Sequence, residues 1–533
     1  MSDKEKLESL YRKDGKNPSN HIFLYIRICF QILTQMRKSI TFLLVLFIGL
    51  PALMCAQAYK PMRVEYSTKL FNQLRIIPAT KNRVVSFLRY SKRNSRGDTY
   101  KVSALDANFK TLWSKDIIIP NSYSLNEYEI ENDSILHLLI VKNNGDNASF
   151  LKLRINIDNG SYTSYYFKGN RRSLLVGLKL FEGRLYLYGV GLEYIQEQLD
   201  TYNASTKYEK ILTAKVPKNY HIISALADTV NHRFIILVKN SKSAPGELRL
   251  MEFDSQGAML QAHLLTQNTQ QNIVNGNLVY SEDSEVFFIG TYNNSTKKSK
   301  RDVDEAVSGV FIGKISGNKF EFFRFYRFSE FNNIKKILSY REQKMVASET
   351  GKGKSFNLYI DLLMHKKILK NNGEFIIVGE SYFPVYHYET MYDGRGYMYQ
   401  TEVFDGYQTT NALAAAFDSK GELLWDNYIH VSGVQAYYLD ENVTVYNDDE
   451  TQVFMYYLNE KIYSKVTQEN QTVFIKEATD LPTVMSGESV LAEDNGKIMH
   501  WNQSYFLISG YQKVYGLDGK NRKVFFITAV AFQ

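Results

Sequence analysis

Phe417-Asp418-Ser419-Lys420-Gly421-Glu422-Leu423-Leu424-Trp425 is the stretch from which the fold can be read. An apolar residue, an Asp, a short polar turn ending in Gly and a second apolar stretch follow one another. That order describes a β-hairpin. The Asp carboxylate caps N–H groups of the turn, Gly takes the position with φ > 0, and the Leu and Trp side chains return to a core. Two other segments align with it without gaps: Phe253-Asp254-Ser255-Gln256-Gly257-Ala258-Met259-Leu260-Gln261 and Leu105-Asp106-Ala107-Asn108-Phe109-Lys110-Thr111-Leu112-Trp113. Shorter copies stand at Ile157-Asp158-Asn159-Gly160 and Leu517-Asp518-Gly519.

The five Asp positions are separated by 52, 96, 164 and 100 residues. These intervals are close to one, two, three and two units of about 50, and a unit of ~40–50 residues with several short strands is the period of a β-propeller blade. Between the hairpins, strand-like runs at 84–90, 134–141, 184–190, 234–238, 286–290, 375–379 and 524–531 are separated by Asn, Asp and Gly turns. The 39 Tyr and 32 Phe suit pleated surfaces as well. The expectation is an all-β chain, a β-propeller of about seven or eight blades over residues 59–533, with tandem β-sandwich domains as the alternative. The segment 330–343 is the best candidate for a helix.

Upstream of 59 the pattern changes. Arg37 and Lys38 follow Met36, residues 40–54 are apolar and uncharged, and Ala56-Gln57-Ala58 supplies a small-x-small site. Positive, apolar, then small is the order of a secretory signal peptide, here 36–58, with 1–35 read as a start-site extension. As a membrane anchor the apolar run would span only about 22 Å against a hydrocarbon core of about 30 Å, so no stable membrane span is expected after cleavage. Met54, not a small residue, precedes Cys55, which argues against lipidation. Cys29 and Cys55 are the only cysteines, so the mature chain would hold together without disulfides. Without residues 1–58 the net charge falls from +8 to +4, too small and scattered to suggest nucleic acid. The expected location is outside the cytoplasm: periplasmic, cell-surface or extracellular.

The Phe-Asp-x-x-Gly-x-x-Leu-Trp element, the terminal Lys523-Val524-Phe525-Phe526-Ile527 strand and the Tyr/Asn/Lys-rich composition resemble poorly characterised secreted β-propeller-like repeat proteins of Bacteroidetes. The resemblance is spread thinly over residues 59–533, and Gln261 replaces the Trp in the middle copy. It implies an exported propeller-like fold and carries over no functional residue.

Local chemical motifs are scarce. The eight histidines after residue 58 (137, 221, 232, 263, 365, 387, 430 and 500) include no pair within four residues, so there is no zinc-type spacing, and no metal or other cofactor is expected. Gly379-Glu380-Ser381-Tyr382-Phe383 lacks the second Gly of a nucleophile elbow. The segment 348–355 ends in Gly-Lys-Ser but has Ser348 where a phosphate-binding loop needs Gly. Lys297-Lys298-Ser299-Lys300-Arg301 is offset by Asp302, Asp304 and Glu305, which reads as an exposed insertion. No catalytic residue is assigned.

The segment 382–407 stands apart, with seven tyrosines around the turn Asp393-Gly394-Arg395-Gly396. Strand alternation would put Tyr386, Tyr388 and Tyr392 on one face, and Tyr397 and Tyr399 together across the turn. The expectation is an inserted hairpin with a tyrosine-rich surface around Arg395, able to stack on a glycan or contact a protein. The bland counterpart is cross-strand packing of the hairpin onto its own propeller. These features together suggest an exported, non-enzymatic binding or scaffold protein of the cell envelope. The alternative is an envelope polysaccharide lyase or hydrolase whose carboxylates converge from separate blades.

Overall fold

The computed structural model describes residues 62–532 apart from short segments, the longest being 199–211, 295–305 and 349–358. The chain divides into two compact units, Met1–Lys60 and Pro61–Gln533. The first unit, and with it the extension and signal features of 1–58, lies outside the described residues, as do the basic run at 297–301 and residues 349–355 of the Gly-Lys-Ser segment.

The near-continuous apolar runs have a common cause. Most are the second strand of a sheet whose two faces are both covered. In Arg83–Tyr90, Val84 joins one apolar cluster while Val85 and Phe87 join another. In Val286–Asn293 every residue is buried, with Phe287 and Ile289 facing one neighbour and Phe288 the other. Phe375 and Ile377 alternate with Ile376 and Val378 in the same way. A strand exposed on one face would alternate apolar with polar; one enclosed on both need not.

Eight sheets follow one another along the second unit. Sheets 1 to 5 span 71–119, 123–168, 174–216, 220–265 and 272–327. Sheets 6 to 8 span 360–430, 443–480 and 489–531, with Gln196–Gln198 added to sheet 2 and Ala306–Val307 and Gln435–Ala436 added to sheet 6. Five are four-stranded; sheet 3 has three strands, sheet 2 has five and sheet 6 seven. Eight apolar clusters fill the interfaces between successive sheets, the last of them joining sheet 8 to sheet 1 through Val84, Leu105, Leu507 and Ile527. The first strands of several sheets meet one another and therefore surround the axis. This is a β-propeller. Sandwich domains would pair the sheets off, whereas here each sheet packs against two.

The ring is closed by Met62–Ser67, which forms the outer edge of sheet 8 by pairing antiparallel with Asn521–Ala531. Side chains lock the seam. Arg63, its side chain 2% exposed, donates to Glu65 Oε1 at 2.9 Å and Gln512 Oε1 at 2.6 Å, and its guanidinium lies 4.4 Å from the Phe526 ring centroid. Gln512 and Tyr457 both donate to Glu493 Oε2, at 2.9 and 2.6 Å, tying sheet 7 to the same network.

The repeated hairpin is the turn between the third and fourth strands of sheets 1, 4 and 6. Asp106, Asp254 and Asp418 each accept two backbone N–H groups on Oδ1 at 2.8–2.9 Å. Gly257 and Gly421 have φ of 80° and 77°. Phe109 takes the equivalent position in the first copy at φ 59°, and its ring is buried against Trp501 at 6.3 Å. In sheet 2 the capping acceptor is Asn156, two residues before Asp158. Asp518 caps a turn between the second and third strands of sheet 8, at the opposite end of the sheet. The interval of 164 residues between Asp254 and Asp418 covers two sheets, not three. Its extra length lies in the segment after Arg327 and in the hairpin of sheet 6.

These turns also receive the preceding sheet. Tyr326 of sheet 5 donates to Gly421 O at 2.6 Å, Tyr186 of sheet 3 to Asp254 O at 2.7 Å, and Trp113 of sheet 1 to Ile157 O at 2.7 Å. Over 330–338 the expected helix of 330–343 is replaced by 3-10 turns at Phe328–Glu330 and Ile334–Ile337. Phe328, Phe331 and Ile334 recur every three residues and are buried together, which fits a period of 3.0, and Asp426 accepts the N–H groups of residues 332, 333 and 334.

Two outcomes test this account. Gly421→Ala must accommodate a Cβ 2.4 Å from the Phe322 ring at φ +77°, and should cost about 1–3 kcal/mol in chemical denaturation. A chain starting at Thr68 lacks the closing strand and should unfold at clearly lower denaturant concentration with a broader transition, which fluorescence and circular dichroism would register.

Candidate functional site

Glu374–Tyr392 and Met398–Phe417, the second and third strands of sheet 6, are 19 and 20 residues long, about twice their counterparts. Their inner halves belong to the sheet. Beyond residue 381 they continue as a two-stranded ribbon, paired from Tyr382↔Thr409 to Tyr392↔Met398. The tip is an Asp-capped turn of the same kind as the repeat: Arg395 and Tyr397 N–H groups donate to Asp393 Oδ1 at 2.9 and 2.8 Å, and Gly396 has φ 83°. Because antiparallel turns alternate ends, the ribbon leaves the propeller at the end opposite the Asp418 turn.

The register divides the sequence-predicted tyrosines. Tyr386, Tyr388 and Tyr392 lie on one face, opposite Phe404, Glu402 and Met398. Tyr399, paired with Met391, lies on the other, with its hydroxyl 3.8 Å from Met391 Sδ. Arg395 sits exposed at the tip and Tyr397 at its edge. The six residues therefore do not form one surface around Arg395: strand alternation separates them.

What the register assembles is a column on the first face. Tyr382 and Tyr407 meet edge-to-face at 5.4 Å, Tyr407 meets Phe404 at 5.0 Å, and Phe404 meets Tyr386 at 5.4 Å. Tyr388 and Tyr392 continue it outward, 68% and 70% exposed. The loop between sheets 6 and 7 joins the column from the side. Gln435–Ala436 pairs with the ribbon at Tyr407 and Gln408, and Tyr437 packs on Phe404 at 5.5 Å and on Tyr438 at 5.1 Å. So the inner part of the ribbon does pack onto its own propeller, while the outer part stands free of it.

At the foot of the column is a small recess of about 10 Å³, open to solvent, with room for roughly one water molecule. Glu380 and Thr409 are its buried members, Tyr382 and Tyr407 are half-buried, and Tyr438, Leu439 and Asp440 are exposed. The first strand of sheet 6 is interrupted between Ile360–Met364 and Leu369–Asn371, and the interruption places His365 beside Glu380. The His365 Nε2···Glu380 Oε1 distance is 2.9 Å, and the same oxygen accepts the N–H groups of Asn442 and Val443, each at 2.8 Å. Glu380 Oε2 is equally buried and has no donor. Burial disfavours the charged imidazole of His365, but the hydrogen bond to Glu380 and the charges of Glu441 and Glu380 outweigh it and raise its pKa. On the other face of the ribbon, Glu389 and Asp405 raise the pKa of exposed His387.

Near the axis, charged groups from several sheets pair with one another. Lys179 Nζ lies 2.6 Å from Glu129 Oε1, Lys497 pairs with Asp440, and the Lys366 N–H donates to Glu441 Oε1 at 2.9 Å. Arg75 donates to Leu125 O at 2.8 Å. Burial raises the Glu127 carboxyl above its usual range despite the Leu178 N–H, 2.8 Å away. Among the described residues no cluster of three or more His, Cys, Asp or Glu has metal-binding geometry. No helix of the described residues is long and apolar enough to cross a membrane.

Sequence reasoning found Tyr386, Tyr388 and Tyr392 and missed Glu380, His365, Asn442, Tyr437 and Tyr438. Glu380 stands in an apolar strand and its partners are 15 or more residues away, so no local spacing marks it.

No protein-family model and no curated sequence matches the chain. Among solved structures, it is 8% identical to a prolyl endopeptidase, covering 89% of this chain and 51% of that one at a TM-score of 0.32. It thus spans about half the length of that protein. The β-propeller domain of the Trilobed protease from Pyrococcus furiosus is 8% identical, with 86% and 95% coverage and a TM-score of 0.33. An uncharacterised protein from Listeria monocytogenes is also 8% identical, with 83% and 93% coverage and a TM-score of 0.31. At such scores these likenesses carry no argument about function; the propeller assignment stands on sheet order and closure.

Since the folded-state pKa of His365 is raised, its stabilising effect is complete below the unfolded value near 6.5 and is lost as pH rises through the folded value. Wild type should therefore exceed His365→Asn in denaturant midpoint by most in mildly acidic buffer. The gap should shrink on going to alkaline buffer.

Proposed function

We propose that this chain is an exported, non-enzymatic binding or scaffold protein of the cell envelope that recognises a glycan or protein partner with the ribbon of sheet 6. One observation carries the proposal: a two-stranded ribbon leaves the propeller with a column of aromatic rings along one face, and its outermost rings are among the most exposed in the described structure. A free two-stranded ribbon buries little of its own surface, so its extension adds nothing to the propeller core. Tyr residues suit recognition, since each offers a broad apolar ring with a hydroxyl tip at low conformational cost. The signal-like order of 36–58 supports export, and the propeller provides a rigid base for the ribbon.

The test is a double substitution, Tyr388→Ala with Tyr392→Ala, on the exposed part of the column. It should leave the melting temperature within a degree or two of wild type, as exposed sites usually do. Binding in glycan-array and pull-down assays should fall by about tenfold or more. Unchanged binding would remove the ribbon as the recognition element.

A further inference from the structure

We infer that the open edge of the ribbon, residues 384–392, pairs antiparallel with the same edge of a second copy of this chain, about a two-fold axis at Tyr388. The two ribbons then form one four-stranded sheet between facing propellers. The pairing uses the edge of the ribbon, so it does not depend on what the aromatic face binds.

The fold leaves this edge bare. The first strand of sheet 6 pairs with the second only as far as Ser381, and among the described residues no strand pairs with the outer side of 383–392. Apart from Val385, residues 383–392 are exposed. A two-stranded ribbon is marginally stable alone, and an open edge accepts another strand. The turn fixes which main-chain groups point outward. The Asp393 N–H donates to Tyr397 O across the ribbon, so residues 387, 389 and 391 also bond inward. Residues 384, 386, 388, 390 and 392 therefore present their main-chain groups to solvent. Pro384, which has no N–H, falls in this outward set, where the ribbon loses no bond by it.

Charge and shape along the edge select the occupant. The face opposite the aromatic column carries Val385, His387, Glu389 and Met391, in the order apolar, basic, acidic, apolar. Reversed, that order is complementary to itself. Pairing about Tyr388 sets Val385 against the partner's Met391 and His387 against the partner's Glu389. Both pairs fall at the closely spaced, non-hydrogen-bonded positions where side chains meet best. On the aromatic face Tyr388 meets the partner's Tyr388, and Tyr386 meets the partner's Thr390. About eight main-chain hydrogen bonds form in this register. A shift of two residues opposes His387 to its own copy in one direction and Glu389 to its own copy in the other. A shift of one residue sets outward groups against inward ones. The other edge of the ribbon, 398–406, holds Glu402 and Asp405 but no base, so no register there gives an ion pair. Within one chain His387 already lies 2.6 Å from Asp405 and 3.2 Å from Glu389, which favours its charged form. Residue 381 of one copy falls beside residue 395 of the other, so the feet of the two ribbons stand roughly 45 Å apart and leave room for both propellers.

The test is sedimentation velocity of the full chain in mildly acidic buffer over roughly 1–200 µM, the range in which an interface this small associates. Wild type should pass from monomer to dimer across that range. Thr390→Pro removes an outward N–H and leaves the bonds within the ribbon. It should weaken dimerisation about tenfold or more, with circular dichroism unchanged. Glu389→Lys and His387→Asp each set like charges opposite one another, and each alone should stay monomeric. Mixed in equal amounts they should associate, because each chain then offers the charge that the other lacks. A wild type that stays monomeric throughout would overturn the pairing. So would a dimer left intact by both Thr390→Pro and Glu389→Lys, or a mixture no more associated than its two components.

Discussion

Coverage of both faces of every sheet is the constraint on which this molecule depends. A twisted four-stranded sheet with apolar residues on both faces cannot end an array; it needs a neighbour on each side, and only a closed ring supplies one to all. The alternation of Val84 with Val85 and Phe87, or of Phe287 with Phe288, is that requirement written into single strands. Each fully buried Phe contributes roughly 1.5–3 kcal/mol. With neither cysteine among the described residues, that burial is supplemented chiefly by hydrogen bonds running from one sheet to the turn of the next.

Those turns show how local and tertiary demands meet. The Asp cap satisfies the backbone of the turn, and the same turn offers a carbonyl to an aromatic side chain of the preceding sheet, as Gly421 does to Tyr326. Where the sequence departs from the pattern, a substitute is visible. Phe109 holds a left-handed conformation without being Gly, and burial against Trp501 offsets the strain. Asn156 replaces Asp as the cap in sheet 2, which frees Asp158 to pair with Arg83.

Most of the fold was legible because its determinants are local: apolar second strands, Asp-Gly turns and their spacing. Legibility failed where tertiary context overrode local pattern. The segment after Arg327 has helix-like apolar spacing, but Asp426, nearly a hundred residues downstream, gathers its N–H groups into a 3-10 path. The long interval before Asp418 read as an extra unit because an enlarged sheet cannot be told from an additional one by counting residues. At the candidate site, strand alternation correctly grouped Tyr386, Tyr388 and Tyr392. It could not supply Glu380, whose importance comes from an interrupted neighbouring strand and from a loop that returns after sheet 6.

The seam at Met62–Ser67 has a kinetic consequence. The segment that completes the final sheet lies more than 450 residues from its pairing partner, as the bond between Thr528 and the Met62 carbonyl illustrates. The other seven sheets draw on strands near one another in the chain, but the eighth must wait until both ends have met. Loop closure on that scale is slow, and until it happens the edge of Asn521–Ala531 is an open template for other strands. The earliest piece of the domain to be synthesised is thus the latest to find its place.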